Sequence, residues 1–375
     1  MFRDQEIRRI QAALRDKDSI LLVGIRRIGK TMLMKEIVRR HGGPGKGFYL
    51  DVSNYISLYS FYNELLANMP QPFLNRIVEL LQAVQSIPDG VMNWLCRKIV
   101  SFDAKVIKID LREPPADEAT VTRYWEPIAK AMLESLKDPS VSNEIAFFAI
   151  DEFPLMLENL LKRKVSDEEI TVALATLRKL REGGIPMFLS GSISLENLLA
   201  LHNIPSSVLG ELQRENLRPF SREEARGYLE SRLVGHPTAT EIEAVLNSLP
   251  DYIPDFLNQS VYFLRGLKIE SNVDVIMDDE VLPAIRRSFN EQFHERLNSN
   301  YPDGEKSCAE QLLDQLANAP EEGAHVDTRN LPPIHHRVLT KLKYDMFVEE
   351  APNYGYRFTL NALRLWWRSR RGMTS

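Results

Sequence analysis

The chain has 375 residues, more than one typical domain, so two or three domains are expected. Its 44% apolar and 26% charged residues are those of an ordinary globular protein, and a net charge of −5 gives no global case for binding nucleic acid or a membrane surface. Cys96 and Cys308 stand too far apart for a metal motif, the opening MFRDQEIRRI has no signal-peptide core, and no apolar run approaches the ~18 residues of a membrane span, so a cytoplasmic protein is expected.

Phe2, Ile7, Ile10 and Leu14 recur at helical spacing and predict a helix over 2–15. Ile20 to Val23 predict a short buried strand. Gly24-Ile25-Arg26-Arg27-Ile28-Gly29-Lys30-Thr31 follows and fits G-x-x-x-x-G-K-[ST] at every fixed position. The glycines let the loop wrap so that backbone N–H groups face phosphate oxygens, and a predicted helix from Lys30 to Arg40 aims its positive end at the same anion. Lys30 is placed to reach the β- and γ-phosphates, and the Thr31 hydroxyl to ligate Mg²⁺. This pattern predicts a nucleoside-triphosphate site.

Phe48 to Val52 predict a second strand. Residues 54–140 read as an insertion, with helical pieces at Leu58–Met69, Phe73–Val84, Trp94–Ser101 and Trp125–Leu136 and one strand at Val106–Leu111. The strand Ile145 to Ile150 then ends in Asp151-Glu152, the Walker B arrangement. Asp151 is placed to orient Mg²⁺ or its water ligands, and Glu152 to polarise the attacking water. A helix from Glu168 to Arg181 and a strand from Ile185 follow. Ser190, at that strand's carboxyl end, is placed to sense the γ-phosphate or hold the attacking water, or else is a strand-terminal turn residue. Leu217 to Phe220 predict the fifth strand, and Ser221-Arg-Glu-Glu224 is a capping box opening a helix through Leu233.

Residues 221–270 read as a small helical bundle whose last helix runs from Asp255 to Leu267, followed by a helix from Val275 to Leu297. Asn298 to Glu305 is the clearest linker. Beyond it, helices at Ser307–Leu316 and Pro333–Lys343, a hairpin pairing Phe347–Glu350 with Tyr356–Thr359, and a closing helix from Leu360 to Arg371 stand in winged-helix order. Adjacent His335 and His336 diverge by ~100° on a helix and are expected at the surface rather than on a metal. Trp366 and Trp367 are expected to pack against the wing. The predicted fold is α/β, a parallel P-loop NTPase sheet of the additional-strand class with its ligand at the strands' carboxyl ends. The predicted domains are 1–220 for the nucleotide fold with its insertion, 221–297 for a helical lid, and 305–375 for a winged helix.

GIRRIGKT, FFAIDEFPLML, FLSGSISLENLL and LRPFSREEARGYL together resemble the archaeal-type ATPases of the STAND class, relatives of AAA+ proteins and origin-recognition-type initiators. The resemblance covers 1–270 outside the insertion. It implies ATP and Mg²⁺ as ligands and slow ATP hydrolysis, with Lys30 and Thr31 on phosphate and metal, Asp151 and Glu152 as the Walker B pair, and Ser190 as first sensor. It also implies Phe2 and Arg3 as base contacts. Arg214 and Arg218 lie where an arginine finger is sought, and neither is singled out. Pro250-Asp-Tyr-Ile-Pro254 sits where such proteins carry a Gly-x-Pro sensor, and here the glycine is missing.

Two functional classes stay open. One is a nucleotide-operated switch controlling self-association or a protein partner. The other is an initiator- or loader-like ATPase whose winged helix binds duplex DNA. From Thr328 to Ser375 there are nine Lys/Arg against three Asp/Glu. That supplies a few phosphate contacts through Arg337, Lys341, Lys343, Arg368, Arg370 and Arg371, without a base-reading cluster.

Overall fold

Ile20–Val23 (β1) is buried at all four positions, as a strand covered on both faces of a parallel sheet must be. The computed structural model describes residues 2–84, 87–98, 114–233, 238–265, 275–319, 331–351 and 355–373. By contact the chain forms two units, one of residues 3–23 and 30–216, the other of Phe2, Gly24–Gly29 and 217–375.

In the first unit, Asp4–Arg15 (α1) precedes β1, and Lys30–Arg39 (α2) precedes Lys46–Asp51 (β2). A helical run follows: Leu58–Ala67 (α3), Gln71–Gln82 (α4), Asp89–Cys96 (α5), Glu118–Arg123 (α6), Trp125–Ser135 (α7) and Pro139–Ser142 (α8). Then come Ile145–Asp151 (β3), Phe153–Lys162 (α9), Asp167–Glu182 (α10), Met187–Gly191 (β4), Leu195–Leu201 (α11) and Gln213–Asn216 (β5). The five strands run in the order β2-β3-β4-β1-β5 with every neighbouring pair parallel. β4 thus separates β1 from β3, the additional-strand arrangement the sequence predicts.

The fifth strand is not Leu217–Phe220 but Gln213–Asn216, paired with β1 from Ile20↔Gln213 to Val23↔Asn216. As an edge strand it is half-covered and polar, so hydropathy does not reveal it. The described part of 54–140 is helical. Tyr62 stacks on Trp125 with centroids 3.6 Å apart, and the indole N–H of Trp125 donates to Thr176 at 3.3 Å. The helix expected at Trp94–Ser101 instead starts at Asp89, where Pro88 fixes its entry, and ends at Cys96. The strand expected at Val106–Leu111 lies outside the described residues.

In the second unit, Ser221 and Glu224 form the expected capping box for Arg222–Arg232 (α12), followed by Ala239–Ser248 (α13) and Pro254–Leu264 (α14). Residues 275–299 are helical with two π-turns, Met277–Val281 and Asn290–His294. The expected linker shrinks to 300–302, because Pro302 caps a helix that already starts at Asp303 and runs to Asn318. Helix Pro333–Tyr344, the antiparallel strands Val348–Ala351 and Gly355–Phe358, and helix Asn361–Arg370 complete the unit. Trp366 and Trp367 are buried, their indole N–H groups donating to Asn290 at 3.0 Å and Asp314 at 2.9 Å.

Asp251 caps the closing helix of this unit, its Oδ2 accepting the Ala362 N–H at 2.6 Å. Burial pushes its carboxyl up to about 6, against the opposing pull of the helix N–H groups. The folded value lies above the unfolded one. The group's contribution to stability is therefore full below about pH 4 and is lost as pH rises through about 6. Asp251→Asn should remove this titration. Thermal unfolding from pH 4 to 7 should show the variant gaining on the wild type as pH rises, and parallel curves would count against the buried charge.

Candidate functional site

The loop after β1 is built by sterics. A Cβ at Gly24 would stand 3.0 Å from Ile28 Cγ2 and 3.3 Å from the Leu217 carbonyl oxygen, so a side chain there would force its neighbours to shift by a few tenths of an ångström. Gly29 has φ +101°, and Arg27, a non-glycine, is held at φ +66°. Ile25 and Ile28 are buried anchors, and Arg26 and Arg27 between them are exposed. Two side chains of the same unit tie the Arg26-Arg27 corner. Gln292 Oε1 accepts the Arg26 N–H at 3.3 Å, and the Arg27 guanidinium pairs with Asp255 at 3.1 Å.

Lys30 and Thr31 open α2, whose first turn carries no acid, so nothing of the helix's own neutralises its positive end. Lys30 is 5% exposed. The register Leu22↔Ser190 and Val23↔Gly191 sets the carboxyl end of β1 beside that of β4, which lies in turn beside β3.

Asp151 ends β3 with 1% of its surface exposed. The Ser190 hydroxyl and, at 3.1 Å, the Glu152 N–H donate to its Oδ1, while the Tyr49 hydroxyl donates to Oδ2 at 2.9 Å. Burial, and next the Asp151 charge, push the Tyr49 phenol well above the usual tyrosine range, so it acts as a donor. Glu152 stands at φ +56°, a left-handed conformation that turns the chain from β3 into α9. Its Oε2 accepts from the Ser192 N–H at 3.4 Å and the Ser192 hydroxyl at 3.2 Å. Gly191 admits this close approach of strand and helix, since a Cβ there would lie 2.5 Å from Pro154.

Asp151, Glu152 and Ser190 are therefore brought together. The remaining candidates have other engagements. Phe2 packs against Phe220 and Tyr228, with ring centroids 5.6 and 5.5 Å apart. Arg3, 7% exposed, pairs with Glu6 at 3.0 Å. Arg214 is paired with Glu196, whereas Arg218 is largely exposed, with Glu349 at 3.7 Å. His336 is exposed, and no group of three or more His, Cys, Asp and Glu is placed to hold a metal among the described residues. Sequence reasoning missed Tyr49, Ser192 and Gln292. Strand parity signals the first, because Tyr49 shares a face with Asp51, the residue in register with Asp151. Nothing in the sequence signals Gln292.

No family model matches the chain, and no curated protein does. Among solved structures, the Walker-type ATPase of Pyrococcus abyssi is similar over 98% of this chain and 96% of its own, at 18% identity and a TM-score of 0.57. The ORC2 protein of Aeropyrum pernix aligns in its ADP form over 100% and 95% at 17% identity, with a TM-score of 0.47. Its ADPNP–ADP complexes align over 99% and 95% at 15% identity, with a TM-score of 0.45. The first likeness shows the fold alone.

If the loop and α2 receive a triphosphate, removing the ammonium of Lys30 should cost about 10- to 100-fold in ATP affinity, the worth of hydrogen bonds to a charged group. Calorimetry on Lys30→Ala, with an unchanged melting temperature, is the check. Wild-type affinity would refute the site.

Proposed function

We propose that the chain is an ATP-binding, Mg²⁺-dependent ATPase of the archaeal STAND-like kind, acting as a nucleotide-operated switch on its own assembly or on a protein partner. Residues 1–220 would form the nucleotide fold, 221–297 a lid and 305–375 a winged helix.

The residues fit a magnesium ion. The Thr31 hydroxyl and Asp151 carboxylate are hard oxygen donors, and Asp151 is a buried acid whose hydrogen-bond donors, the Ser190 and Tyr49 hydroxyls and the Glu152 N–H, are all neutral. The absence of a larger ligand cluster among the described residues suits an ion held mainly by phosphate and water. Bound there, Mg²⁺ would supply neutralisation of charge developing on the phosphate oxygens. Lys30 would hold the β- and γ-phosphates, and Glu152 would exchange its bonds to Ser192 for one to the attacking water and take its proton. Ser190 fixes Asp151, which supports its reading as a sensor of the metal–phosphate group.

The observation that carries the switch reading is the company the loop keeps. Gln292, on the π-turn Asn290–His294, holds the loop's backbone. Its neighbour Phe293 packs on Phe347 at 4.9 Å and on Trp366 at 6.3 Å. Arg296 donates to the Asp345 carbonyl at 3.1 Å, and Tyr301 to the Asp345 carboxylate at 2.9 Å. A continuous packed route thus joins the phosphate loop to the hairpin and its flanking helices.

The duplex-DNA reading has less support. Arg337 and Lys341 pair with Glu305 at 3.0 and 2.5 Å, Lys343 with Glu350 at 2.5 Å, and Arg371 with Asp314 at 2.7 Å. Arg364 and Arg368 donate to backbone carbonyls. Phosphate contacts would compete with these partners. In a fluorescence-anisotropy salt titration with generic duplex, weak and salt-sensitive binding is expected. A tight ATP-dependent complex that survives physiological salt would favour the initiator-like reading.

Glu152→Gln should bind ATP and lose about 100-fold or more in kcat, the usual worth of a general base. Wild-type turnover would move that role elsewhere. Hydrogen exchange tests the switch itself. ATP should change protection across 345–367 in the wild type, and Gln292→Leu should lose that response while still binding ATP. An identical response in the variant would break the route.

A further inference from the structure

Asp151 receives its three donors unevenly. Oδ1 accepts both the Ser190 hydroxyl and the Glu152 N–H, and Oδ2 accepts only the Tyr49 hydroxyl. A carboxylate has about four acceptor positions, so the one left lies on Oδ2. We propose that Tyr49 is a positioning residue of the metal site, holding Oδ2 so that its remaining lone pair faces a metal-bound water.

The strand pairing explains why a tyrosine fits this task. β2 and β3 are in register as Tyr49↔Ala149 and Asp51↔Asp151, so Tyr49 stands two residues short of the acid on the same face. That offset is about 6.6 Å along the strand, a span the length of a phenol side chain covers. Opposite Tyr49 the partner strand presents Ala149, whose small side chain leaves room for the ring to lean toward Asp151. The far side of the ring is held by α2, where the Lys35 ammonium lies 4.9 Å from its centroid. Lys35 follows Thr31 by one helical turn, so the ring is braced by the helix that carries the other proposed metal ligand. Ser190 holds the acid from β4 and Tyr49 holds it from β2.

This assignment rests on the nucleotide reading above, and its test separates the two. Tyr49→Phe deletes one oxygen and keeps the ring over Lys35. Mn²⁺ binding to the ADP complex, followed by electron paramagnetic resonance, should weaken about tenfold in the variant, the usual effect of losing a hydrogen-bond partner of a metal ligand. ADP affinity without metal, measured by calorimetry, should not change. Lys35→Ala, which removes the brace on the ring and keeps the hydroxyl, should weaken Mn²⁺ binding less than Tyr49→Phe does. Equal Mn²⁺ affinity in wild type and Tyr49→Phe would overturn the assignment and leave the nucleotide site standing. An equal loss of metal-free ADP affinity would overturn it as well, showing a structural role only. A wild type that binds neither ADP nor Mn²⁺–ADP would remove both readings.

Discussion

A carboxylate taken out of water must be hydrogen-bonded or paired, and Asp151 is the place where this fold meets that demand. Its strand lies between β2 and β4, and each neighbour sends one hydroxyl to it, Tyr49 from one side and Ser190 from the other. The strand order is what makes this possible. With β1 in place of β4, the serine would not reach, and the acid would lack a donor on that side. The same order sets the carboxyl end of β1 one strand further on, next to that of β4.

The legible parts of the chain were those in which local rules and tertiary demands agree. Ile20 to Val23 and Ile145 to Ile150 are apolar runs of strand length, and both are buried strands. The polar edge strand Gln213–Asn216 escaped because it pairs with a strand on one side only among the described residues, and the apolar Leu217–Phe220 beside it drew the prediction away. Within 54–140 the helices α3, α4 and α7 were expected, α5 was misplaced and α6 and α8 were not foreseen, and Trp125 could not be matched to Tyr62 and Thr176, because contacts between distant segments leave no periodicity in either. The same reason hid Gln292, which is separated from Arg26 by most of the chain.

The loop itself is conformationally costly. Arg27 occupies a left-handed conformation in which a glycine would be easier, so its geometry persists only because the surroundings determine it. Those surroundings are the loop's two buried isoleucines and the ties from Gln292 and Asp255. The geometry of the loop is therefore not a property of the eight-residue motif alone. It is supplied by segments more than two hundred positions away, which is why contact assigns the loop to the carboxyl-terminal unit.

The π-turn at Asn290–His294 has a consequence for how this chain tolerates length change. Such a turn closes its hydrogen bonds one residue later than an α-turn, so it behaves as a single extra residue absorbed without breaking the helix. Removing one residue there would let Leu282–Phe289 and Glu295–Ser299 join as ordinary α-helix with their packing faces nearly preserved. The helix does not need the extra residue. Gln292 lies within the widened turn and bonds the Arg26 N–H, so shortening the helix there would rotate Gln292 relative to the loop it ties.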